Sequence, residues 1–468
     1  MLYYVLDFLH RDSISRRTPL HGEIPGQLAV ELATRFNGEI INADAMQMYR
    51  GVPILTNKMS PAEQRGIPHH LLGHVSPAEA PCDVIDYECN ATRIVAEIRS
   101  RGNLPILVGG THYYLDSMLF TDILLPETRQ GTLDPLPELE QPTDVLWRQL
   151  KECDPVMAHR WHPNDRRRIQ RSLEIYLRTG RRASQYYAEQ QQRKAMTKTG
   201  QDGWQNLLFW VHSDREVLRQ RLEARVDDMV NNGMLHDVRQ LYELKQEELA
   251  QGRPVNMSTG IWQSIGYKQL EPYIAAVCAS HSPLDQPPQQ APLSTQAKEL
   301  QQLKTQGIID TKTATRRYAV NQTRWIRLKQ IRRLADLGPA AMNSLYVVDS
   351  TDVTRFASNV VEPALDVTRR YLAGEPLPHP SEMSDRAKEV LAAAAPGPPS
   401  RTPCHRTCEL CGTVCLTEEL WKLHVNGAAH RNKAWMIKKV ALVPVETPAV
   451  HVVQVESPSS IEIASLFS

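Results

Sequence analysis

Alternating helix and strand patterns between residues 27 and 125 constrain the fold most strongly. Apolar residues recur at helical spacing in QLAVELATRF (27–36) and in VIDYECNATRIVAEIRSRG (84–102). Each of these segments precedes a short apolar run, GEIINAD (38–44) in the first case and NLPILVGGTHYY (103–114) in the second. Continuously apolar strands between helices are typical of a parallel sheet that is covered on both faces. The sequence therefore predicts an α/β core.

The rest of the chain divides by composition and periodicity. Residues 138–275 are nearly all helical in pattern, HSPLDQPPQQAPLS (281–294) has the composition of a linker, and LYVVDST from residue 345 indicates one more strand. The predicted boundaries are an atypical N-terminus (1–26), the first part of the α/β core (27–137), a helical insertion and lid (138–275), a linker (276–294), a return to the core (295–375), a flexible tether (376–403), a small metal-binding module (404–436) and a tail (437–468).

Composition excludes several classes of protein. The 468 residues carry a net charge of +1, so nucleic-acid binding would require local basic patches. No apolar run approaches the ~20 residues of a membrane span, and Asp7 interrupts an N-terminus that lacks the basic start of a signal peptide. Half of the eight cysteines fall in one short cluster, which suits a reducing compartment. We expect a cytoplasmic monomer that binds no membrane, with mitochondria and nucleus as alternative compartments.

The cysteine cluster belongs to a metal-binding pattern. Cys408, Cys411, His424 and His430 are spaced C-x2-C-x12-H-x5-H. Thiolates on a tight turn and imidazoles on a following helix supply the tetrahedral ligands of structural Zn²⁺. We predict a ββα-type zinc finger whose few core residues are leucines and in which the two remaining cysteines do not ligate. The predicted core leucines are Leu416, Leu420 and Leu423, and the predicted bystanders are Cys404 and Cys415. The finger binds either structured RNA or another protein.

Two basic segments are candidates for contact with a polyanion. The first, His159 to Arg182, crowds arginines into the first turn of a helix capped by Asp165, where the helix dipole disfavours positive charge. The second, from Arg316 to Arg333, interleaves basic residues with Tyr318 and Trp325. Arginine and aromatic side chains together suit folded RNA. The alternatives are a solvated helix face for the first segment and a plain amphipathic helix, with Trp325 and Ile326 in the core, for the second.

Several stretches taken together resemble the tRNA dimethylallyltransferases, also called isopentenyltransferases. They are NADAMQMYRGVPILTNKMSPAEQRGIPHHLLGHV, PILVGGTHYY, HPNDRRRIQRSLEIY, RLEARVDDMVNNGMLHDV and WQSIGYKQL, and they follow one another in the order of the family. The resemblance implies a P-loop nucleotide-kinase-like core with a helical tRNA-binding insertion, and the appended finger resembles the eukaryotic branch. It also implies transfer of a five-carbon prenyl group from dimethylallyl diphosphate to the exocyclic amine of the adenosine beside the anticodon of tRNA.

The resemblance also suggests a role for Asp44, a carboxylate at the end of a strand. By its position alone Asp44 is either a turn-former or a working base, and in the family the matching residue is the general base. Three segments match those that contact tRNA in the family. They are Asp44, Ala45, Met46 and Gln47; Arg167, Arg168, Ile169, Gln170 and Arg171; and Gln263, Ser264, Ile265, Gly266, Tyr267 and Lys268.

The remaining residues implied by the resemblance are a threonine near the channel and the arginines that serve the leaving group. Thr111 follows the Gly-Gly turn as a hydrogen-bonding partner, and Arg225 matches an arginine that serves the diphosphate, with Arg221 one turn earlier as its rival. An arginine there would stabilise the charge that develops on the diphosphate. The family also implies Mg²⁺ bound with the diphosphate.

One departure from the family concerns the phosphate loop. The family has a strand and a Gly-rich loop ending in Gly-Lys-Ser or Gly-Lys-Thr directly before the helix matched by residues 27–36, whereas this chain has TPLHGEIPG (18–26) there and no G-x-x-x-x-G-K-[ST] anywhere. We expect either a transferase or a catalytically impaired tRNA-binding relative. A small-molecule phosphotransferase is a third candidate, which the missing lysine disfavours. The interior strand before the loop would also be missing unless MLYYVLDFL (1–9) takes its place.

Overall fold

The protein is described by a computed structural model covering residues 2–6, 24–79, 81–120, 136–197, 205–280, 295–394 and 402–441. These residues fall into two compact units. The first contains the described residues up to 120 and from 186 to 394, and the second contains residues 136–185 and 402–441. The predicted phosphate-loop replacement, most of the linker and most of the tail lie outside the described residues.

The first unit is built on a six-stranded sheet in the order β3-β2-β4-β1-β5-β6. All neighbouring strands are parallel. The strands are β1 (Leu2–Leu6), β2 (Gly38–Asn42), β3 (His69–His70), β4 (Leu104–Gly109), β5 (Asn206–His212) and β6 (Leu345–Asp349). The predicted α/β class with a parallel sheet is confirmed.

The N-terminal strand occupies an interior position of this sheet. β1 lies between β4 and β5, with Leu6 paired with Gly109 on one side and with Trp210 on the other. The interior position in question is therefore filled by part of MLYYVLDFL. The chain leaves this strand beside the end of β4, where parallel α/β sheets bind ligands.

Helices cover both faces of the sheet. In chain order the helices before β6 are α1 (Ile24–Phe36), α2 (Pro61–Gln64), α3 (Val84–Ser100), α4 (His112–Leu119), α5 (Thr143–Cys153), α6 (Pro155–Arg160), α7 (Arg166–Thr179), α8 (Ala183–Thr197), α9 (Arg215–Asn231), α10 (Met234–Ala250), α11 (Tyr267–Ser280), α12 (Thr295–Trp325), α13 (Ile331–Leu337) and α14 (Pro339–Met342). Two more, α15 (Glu362–Ala373) and α16 (Asp385–Ala394), follow β6.

Alternate residues of the strands pack into two separate apolar cores. Ile41 and Trp210 belong to one core, whereas Ile40 and Phe209 belong to the other, and all four are buried. Successive side chains on a strand point to opposite faces, so both faces of the sheet are packed. This explains why the strands appear in the sequence as unbroken apolar runs.

The structure divides the middle and the end of the chain differently from the sequence prediction. The range 138–275, expected to be nearly all helical, contains β5, whose five central residues are buried. Only its first part belongs to the second unit. The predicted tether contains α16, and Ala387 and Ala394 of this helix lie in the core. Apolar burial thus orders a stretch whose composition resembles a linker. Residues 276–280 of the predicted linker complete α11.

The second unit combines the first helices of the insertion with the finger. The finger consists of β7 (Pro403–Thr407), β8 (Val414–Thr417), α17 (Glu418–Asn426) and α18 (Ala428–Ala441), and its two strands are antiparallel. The ββα order is as predicted. The rings of His159 on α6 and His405 on β7 stack with centroids 4.7 Å apart. No described helix of the chain is long and apolar enough to cross a lipid bilayer.

Candidate functional site

The candidate site begins where β2 and β4 end side by side. The backbone N–H of Ala43 donates to the carbonyl of Val108 at 2.7 Å, which brings the two strand ends together. A Cβ on Gly109 would lie 2.2 Å from the carbonyl carbon of Ala43, so only glycine allows this approach. The sheet order places β4 next to β1, where successive connections turn to opposite sides. Such switch points bind ligands at the carboxyl ends of the strands.

Asp44 and Thr111 meet at this edge. The Asp44 carboxylate accepts hydrogen bonds from the backbone N–H groups of Met46 at 2.8 Å and Gln47 at 3.3 Å. The hydroxyl of Thr111, the first residue after the Gly-Gly turn, accepts from the N–H of Ala45 at 3.0 Å. The two residues predicted from different strands therefore belong to one constellation, in which Asp44 is oriented by its own turn.

The surroundings of Asp44 oppose its ionisation. Burial raises the pKa of its carboxyl group, and the two backbone hydrogen bonds and the charges of Arg225 and Lys58 only partly offset this effect. A carboxylate with a raised pKa is a stronger base than an exposed one. Desolvation combined with specific charged neighbours is the arrangement expected of a working acid or base.

The two candidate arginines on α9 have different surroundings. Arg221 donates from its two terminal nitrogens to the backbone carbonyls of Ser350 at 2.7 Å and Thr351 at 2.6 Å, so it fastens α9 to the segment after β6. Arg225, one turn later, is 5 % exposed and lies within electrostatic range of Asp44. The geometry favours Arg225 over Arg221 as the diphosphate ligand.

Two residues of the site were not anticipated from the sequence. Lys58 is 9 % exposed, and its charge acts on Asp44. Asp237 on α10 accepts hydrogen bonds from the backbone N–H groups of Ile54 and Leu55 at 2.8 and 2.9 Å. Both lie inside stretches that carry the family resemblance, but no residue pattern pairs them across such a sequence separation.

A small cleft opens beside this edge of the sheet. Its polar wall includes Asn42, Gln47 and Asn57, and its other walls are largely apolar. Asn42 donates to the carbonyls of Asp44 at 2.9 Å and Leu71 at 3.0 Å, so it ties the Asp44 turn to the segment after β3. The cleft is thus continuous with the residues that hold Asp44.

The predicted arginine segment lies on α7 in the second unit, and its residues differ in accessibility. Arg167 is exposed, whereas Arg168 pairs with Asp165 at 3.4 Å and Arg171 with Glu174 at 2.7 Å. Ile169 is fully buried, and its side chain packs inside the unit. The predicted contact of this segment with tRNA stays a prediction, and the exposed side chains are its candidates, because a helix with a solvent-facing side has an opposite face in the core.

Other members of the basic segment around α7 are occupied by intramolecular contacts. Gln170 donates to the carbonyl of Leu139 at 2.9 Å, and Arg166 donates to the same carbonyl at 3.0 Å. These bonds hold the residues before α5 against α7. Gln170 therefore has a structural use in addition to the predicted contact.

The third predicted segment is only partly accessible. Gln263 and Lys268 are exposed and Ile265 is half-buried, but Ser264 and Tyr267 are buried at 3 % and 0 % exposure. Gly266 has φ +105°, and a Cβ there would lie 2.3 Å from the terminal carbon of Met234. The contact of this segment with tRNA stays a prediction, and the exposed Gln263 and Lys268 are its candidate side chains.

The second basic segment, from Arg316 to Arg333, has both core residues and exposed basic residues. Ile326 is fully buried, as the core alternative predicts. Trp325 is half-buried, donates from its indole nitrogen to Asp116 at 2.9 Å and lies under the Lys329 ammonium at 3.4 Å from the ring centre. Its contacts anchor α12 to α4, and the exposed arginines of the segment stay candidates for an anion.

The four predicted zinc ligands converge in the finger. Their ligand atoms all lie within 4.8 Å of one another, and the Nδ1 atom of His430 is 3.5 Å from the sulfur of Cys408 and of Cys411. A tetrahedral Zn²⁺ with ordinary bond lengths separates a sulfur and a nitrogen ligand by roughly 3.5 Å. The Nε2 atom of His424 is buried without a hydrogen-bond partner among the described residues. The residues therefore fit a structural zinc ion.

The finger differs from the sequence prediction in two details. The histidines lie on two helices, because the helix is interrupted at Gly427 between α17 and α18. Six residues along one continuous helix would turn the second imidazole roughly 240° away from the first. Leu420 and Leu423 are 43 % and 70 % exposed, so the expected leucine core is wrong.

The buried residues of the described part of the finger are one metal ligand and one other cysteine. Cys408 is 3 % exposed and Cys415 is 4 % exposed. Cys404 and Cys415 stand outside the ligand group among the described residues, as predicted. A module with so few buried apolar side chains depends on its metal for folding.

Comparison with known proteins finds relatives of this chain that cover most of its length. The model of the family described as IPP transferase matches residues 47–329. The tRNA dimethylallyltransferase of Saccharomyces cerevisiae is 32 % identical over 87 % of this chain and 88 % of its own length. The human tRNA dimethylallyltransferase is 30 % identical over 87 % of this chain and 82 % of its own length.

A solved structure agrees with the sequence relatives. A crystal structure described as a eukaryotic dimethylallyltransferase acting on tRNA superposes with a TM-score of 0.73 at 28 % identity, covering 94 % of this chain and 97 % of that one. The fold and site define a transferase of the nucleotide-kinase-like α/β class. The chain belongs to the IPP transferase family.

Proposed function

We propose that this chain is a tRNA dimethylallyltransferase that modifies the exocyclic amine of the adenosine beside the anticodon. The observation that carries the proposal is the position of Asp44 beside Thr111 at the switch point, with the charge of Arg225 close by. Relatives with this name are similar over most of the chain. We further propose that dimethylallyl diphosphate is the donor.

Asp44 supplies the base for this reaction. The amine nitrogen attacks the allylic carbon, the carbon–oxygen bond to the diphosphate breaks, and a proton of the amine passes to the Asp44 carboxylate. An aromatic amine is a poor nucleophile, so a positioned base that removes its proton as the bond forms lowers the barrier. Arg225 stabilises the negative charge that appears on the leaving oxygen.

We assign tRNA binding to side chains that are exposed in the structure. Arg167 and Arg168 on α7 meet this condition in the second unit, and Gln263 and Lys268 meet it in the first. Cationic side chains bind phosphates and give affinity that falls with salt. The zinc finger belongs to the same compact unit as α7, which favours RNA over protein as its partner.

Magnesium bound with the diphosphate is part of the proposal, but no residue is assigned to it. In P-loop proteins the hydroxyl of Gly-Lys-Ser or Gly-Lys-Thr holds this ion, and the sequence has no such motif. The same observation favours the second candidate, a relative that binds tRNA without efficient turnover.

Incubation of the purified chain with dimethylallyl diphosphate and tRNA from cells lacking their own enzyme tests the proposal. Nucleoside mass spectrometry should find adenosine enlarged by one C5H8 unit at the position beside the anticodon. Modification at another position would overturn the proposed substrate. Tight binding of tRNA without modification would select the second candidate.

A further inference from the structure

A buried lysine closes the segment that carries Asp44. The ammonium group of Lys58 donates to the backbone carbonyls of Tyr49 and Gly51, at 2.6 Å in the second case. Both carbonyls belong to the same segment, 43–58, as Asp44 itself. A buried ammonium is costly unless it is paired and hydrogen-bonded. The arrangement therefore fixes the shape of this segment from within.

A buried carboxylate fastens the same segment to α10. Asp237 is 5 % exposed, and one of its oxygens accepts the N–H groups of Ile54 and Leu55. The charges of Asp237 and Asp44 both act on Lys58. Asp44, Lys58 and Asp237 thus form a series of acidic, basic and acidic groups.

We propose that Lys58 is a positioning residue of the prenyl-transfer site, which holds segment 43–58 in the shape that presents Asp44 and supplies a positive charge that favours the carboxylate form of Asp44. Asp237 supports Lys58 from the side of α10. This inference rests on the role proposed for Asp44, but it makes a physical claim about the two side chains that can be tested without turnover.

The charged and titratable neighbours of the series define what a pH experiment would report. Arg225 and Tyr114 also act on Asp44, and His236 acts on Asp237. Burial lowers the pKa of Lys58 to about 8, despite the attraction of Asp237 and Asp44. Lys58 is therefore charged at neutral pH and loses its charge as the pH rises through about 8.

The first test compares the unfolding of four full-length proteins, the parent, Asp44→Asn, Lys58→Met and the double variant, in urea between pH 4 and 8. Burial raises the pKa of Asp44, so its ionised form destabilises the fold and Asp44→Asn should raise the urea midpoint at neutral pH. Without Lys58 this gain should be larger and should level off about one pH unit or more higher. Equal gains in both backgrounds at every pH would overturn the proposal.

Two further variants separate charge from general destabilisation. Lys245 lies on α10, the helix that carries Asp237. It pairs with Glu271 at 2.5 Å, and 19 % of its side chain is exposed. Lys245→Met should leave the gain from Asp44→Asn unchanged, whereas Lys58→Arg should preserve most of the parent behaviour. A change of the same size in the Lys245→Met background would show that the effect is not specific to Lys58.

A kinetic test follows in any form of the chain that transfers the prenyl group. Lys58→Met should lower kcat, shift the acidic limb of its pH profile upward by about one unit, and leave KM for tRNA within twofold. An unshifted limb would contradict the electrostatic role. The unfolding experiment needs no activity, so failure of the proposed reaction and failure of the Lys58 proposal give different results.

Discussion

The hydroxyl of Thr111 accepts the backbone N–H of Ala45 at 3.0 Å and thereby joins the end of β4 to the turn that holds Asp44. In the same turn the Asp44 carboxylate accepts the N–H of Met46 at 2.8 Å. Two neighbouring strands are thus tied together at the point where the proposed chemistry occurs. The position of the base depends on this backbone scaffold, because its own hydrogen bonds are local.

Asp44→Ala should lower the rate of prenyl transfer by a factor on the order of 10² or more, because the amine loses its positioned base. The rate is measured under single-turnover conditions in a chain that carries an intact phosphate loop. Affinity for tRNA should stay nearly unchanged. Asp144→Ala is the matched control, since Asp144 is an exposed carboxylate that pairs with Arg148 on the surface of α5. An Asp44→Ala protein with nearly the parent rate would remove Asp44 as the general base.

The approach of Thr111 to the turn that holds Asp44 has a topological cause. Parallel strands end at the same edge of a sheet, so a carboxylate after one apolar run and a hydroxyl after the next must approach one another if the strands are neighbours. The zinc ligands were predictable for a similar reason, since their spacing is local and their chemistry is specific.

Other features depend on packing that the sequence does not encode locally. β5 was missed because NLLFWVH (206–212) is a short apolar run between helices, and periodicity does not distinguish a buried strand from a buried helix. The resemblance named Arg225 first and Arg221 as its rival, but nothing in the sequence supplied a physical ground for that order, because both lie on one face of α9. Only the bonding of Arg221 to the segment after β6 separates them. Lys58 and Asp237 come together across a long stretch of intervening chain.

Neutralising the α7 arginines should weaken tRNA binding and flatten its salt dependence. The triple variant Arg167→Gln, Arg168→Gln and Arg171→Gln should reduce the slope of log affinity against log salt by about one for each tRNA phosphate that the variant no longer neutralises. Arg167 should contribute most, because Arg168 and Arg171 already have intramolecular ion pairs.

Filter binding at several salt concentrations measures this slope. Arg369→Gln is the matched control, because Arg369 is a comparably exposed arginine of the first unit with carboxylate partners. A slope unchanged by the triple variant would mean that these arginines form only a solvated helix face.

Cys408→Ser should abolish zinc binding and unfold residues 402–441. The finger lacks a leucine core, so the metal supplies most of its folding energy. Native mass spectrometry should count one zinc ion in the parent and none in the variant, while the first unit stays folded. Cys404→Ser should retain the ion, because Cys404 lies outside the ligand group. Equal zinc content in parent and Cys408→Ser would refute the ligand assignment.

Glu39 on β2 should make the free energy of unfolding depend on pH in the acid range. Its buried carboxylate accepts Arg101 at 2.8 Å, Asn103 at 2.7 Å and His70 at 2.7 Å. Burial alone would raise its pKa, but these hydrogen bonds outweigh burial and hold the pKa at about 2 instead of 4.5. At about 1.4 kcal/mol per pKa unit, the ionised form contributes on the order of 3 kcal/mol to the free energy of unfolding.

The sign follows from the lowered pKa. The contribution is complete above the unfolded-state pKa of 4.5 and is lost as the pH falls through about 2. Urea denaturation should therefore find Glu39→Gln destabilised by a constant amount above about pH 5 and progressively less below it. Glu97→Gln is the control, because Glu97 pairs with Arg93 in an exposed position. A difference that is independent of pH down to 2 would contradict the network as its cause.

The last prediction concerns the phosphate loop. A prenyl diphosphate binds through a nest of backbone amides, a lysine and a metal-holding hydroxyl in P-loop proteins, and the sequence lacks this motif. Without the loop, the single side chain of Arg225 would have to bind the diphosphate of the substrate and also stabilise the negative charge that develops as the diphosphate leaves. One arginine cannot easily do both. β1 already lies between β4 and β5. Only the segment from the end of β1 into the first residues of α1 therefore needs replacement. We expect a hybrid with a Gly-rich loop ending in Gly-Lys-Ser in place of residues 7–26 to modify tRNA in cells lacking their own enzyme, and the unaltered chain to do so at or below detection. The same hybrid with alanine for the loop lysine should be inactive while binding tRNA equally well. Robust modification by the unaltered chain would show that its own residues hold the diphosphate without such a loop.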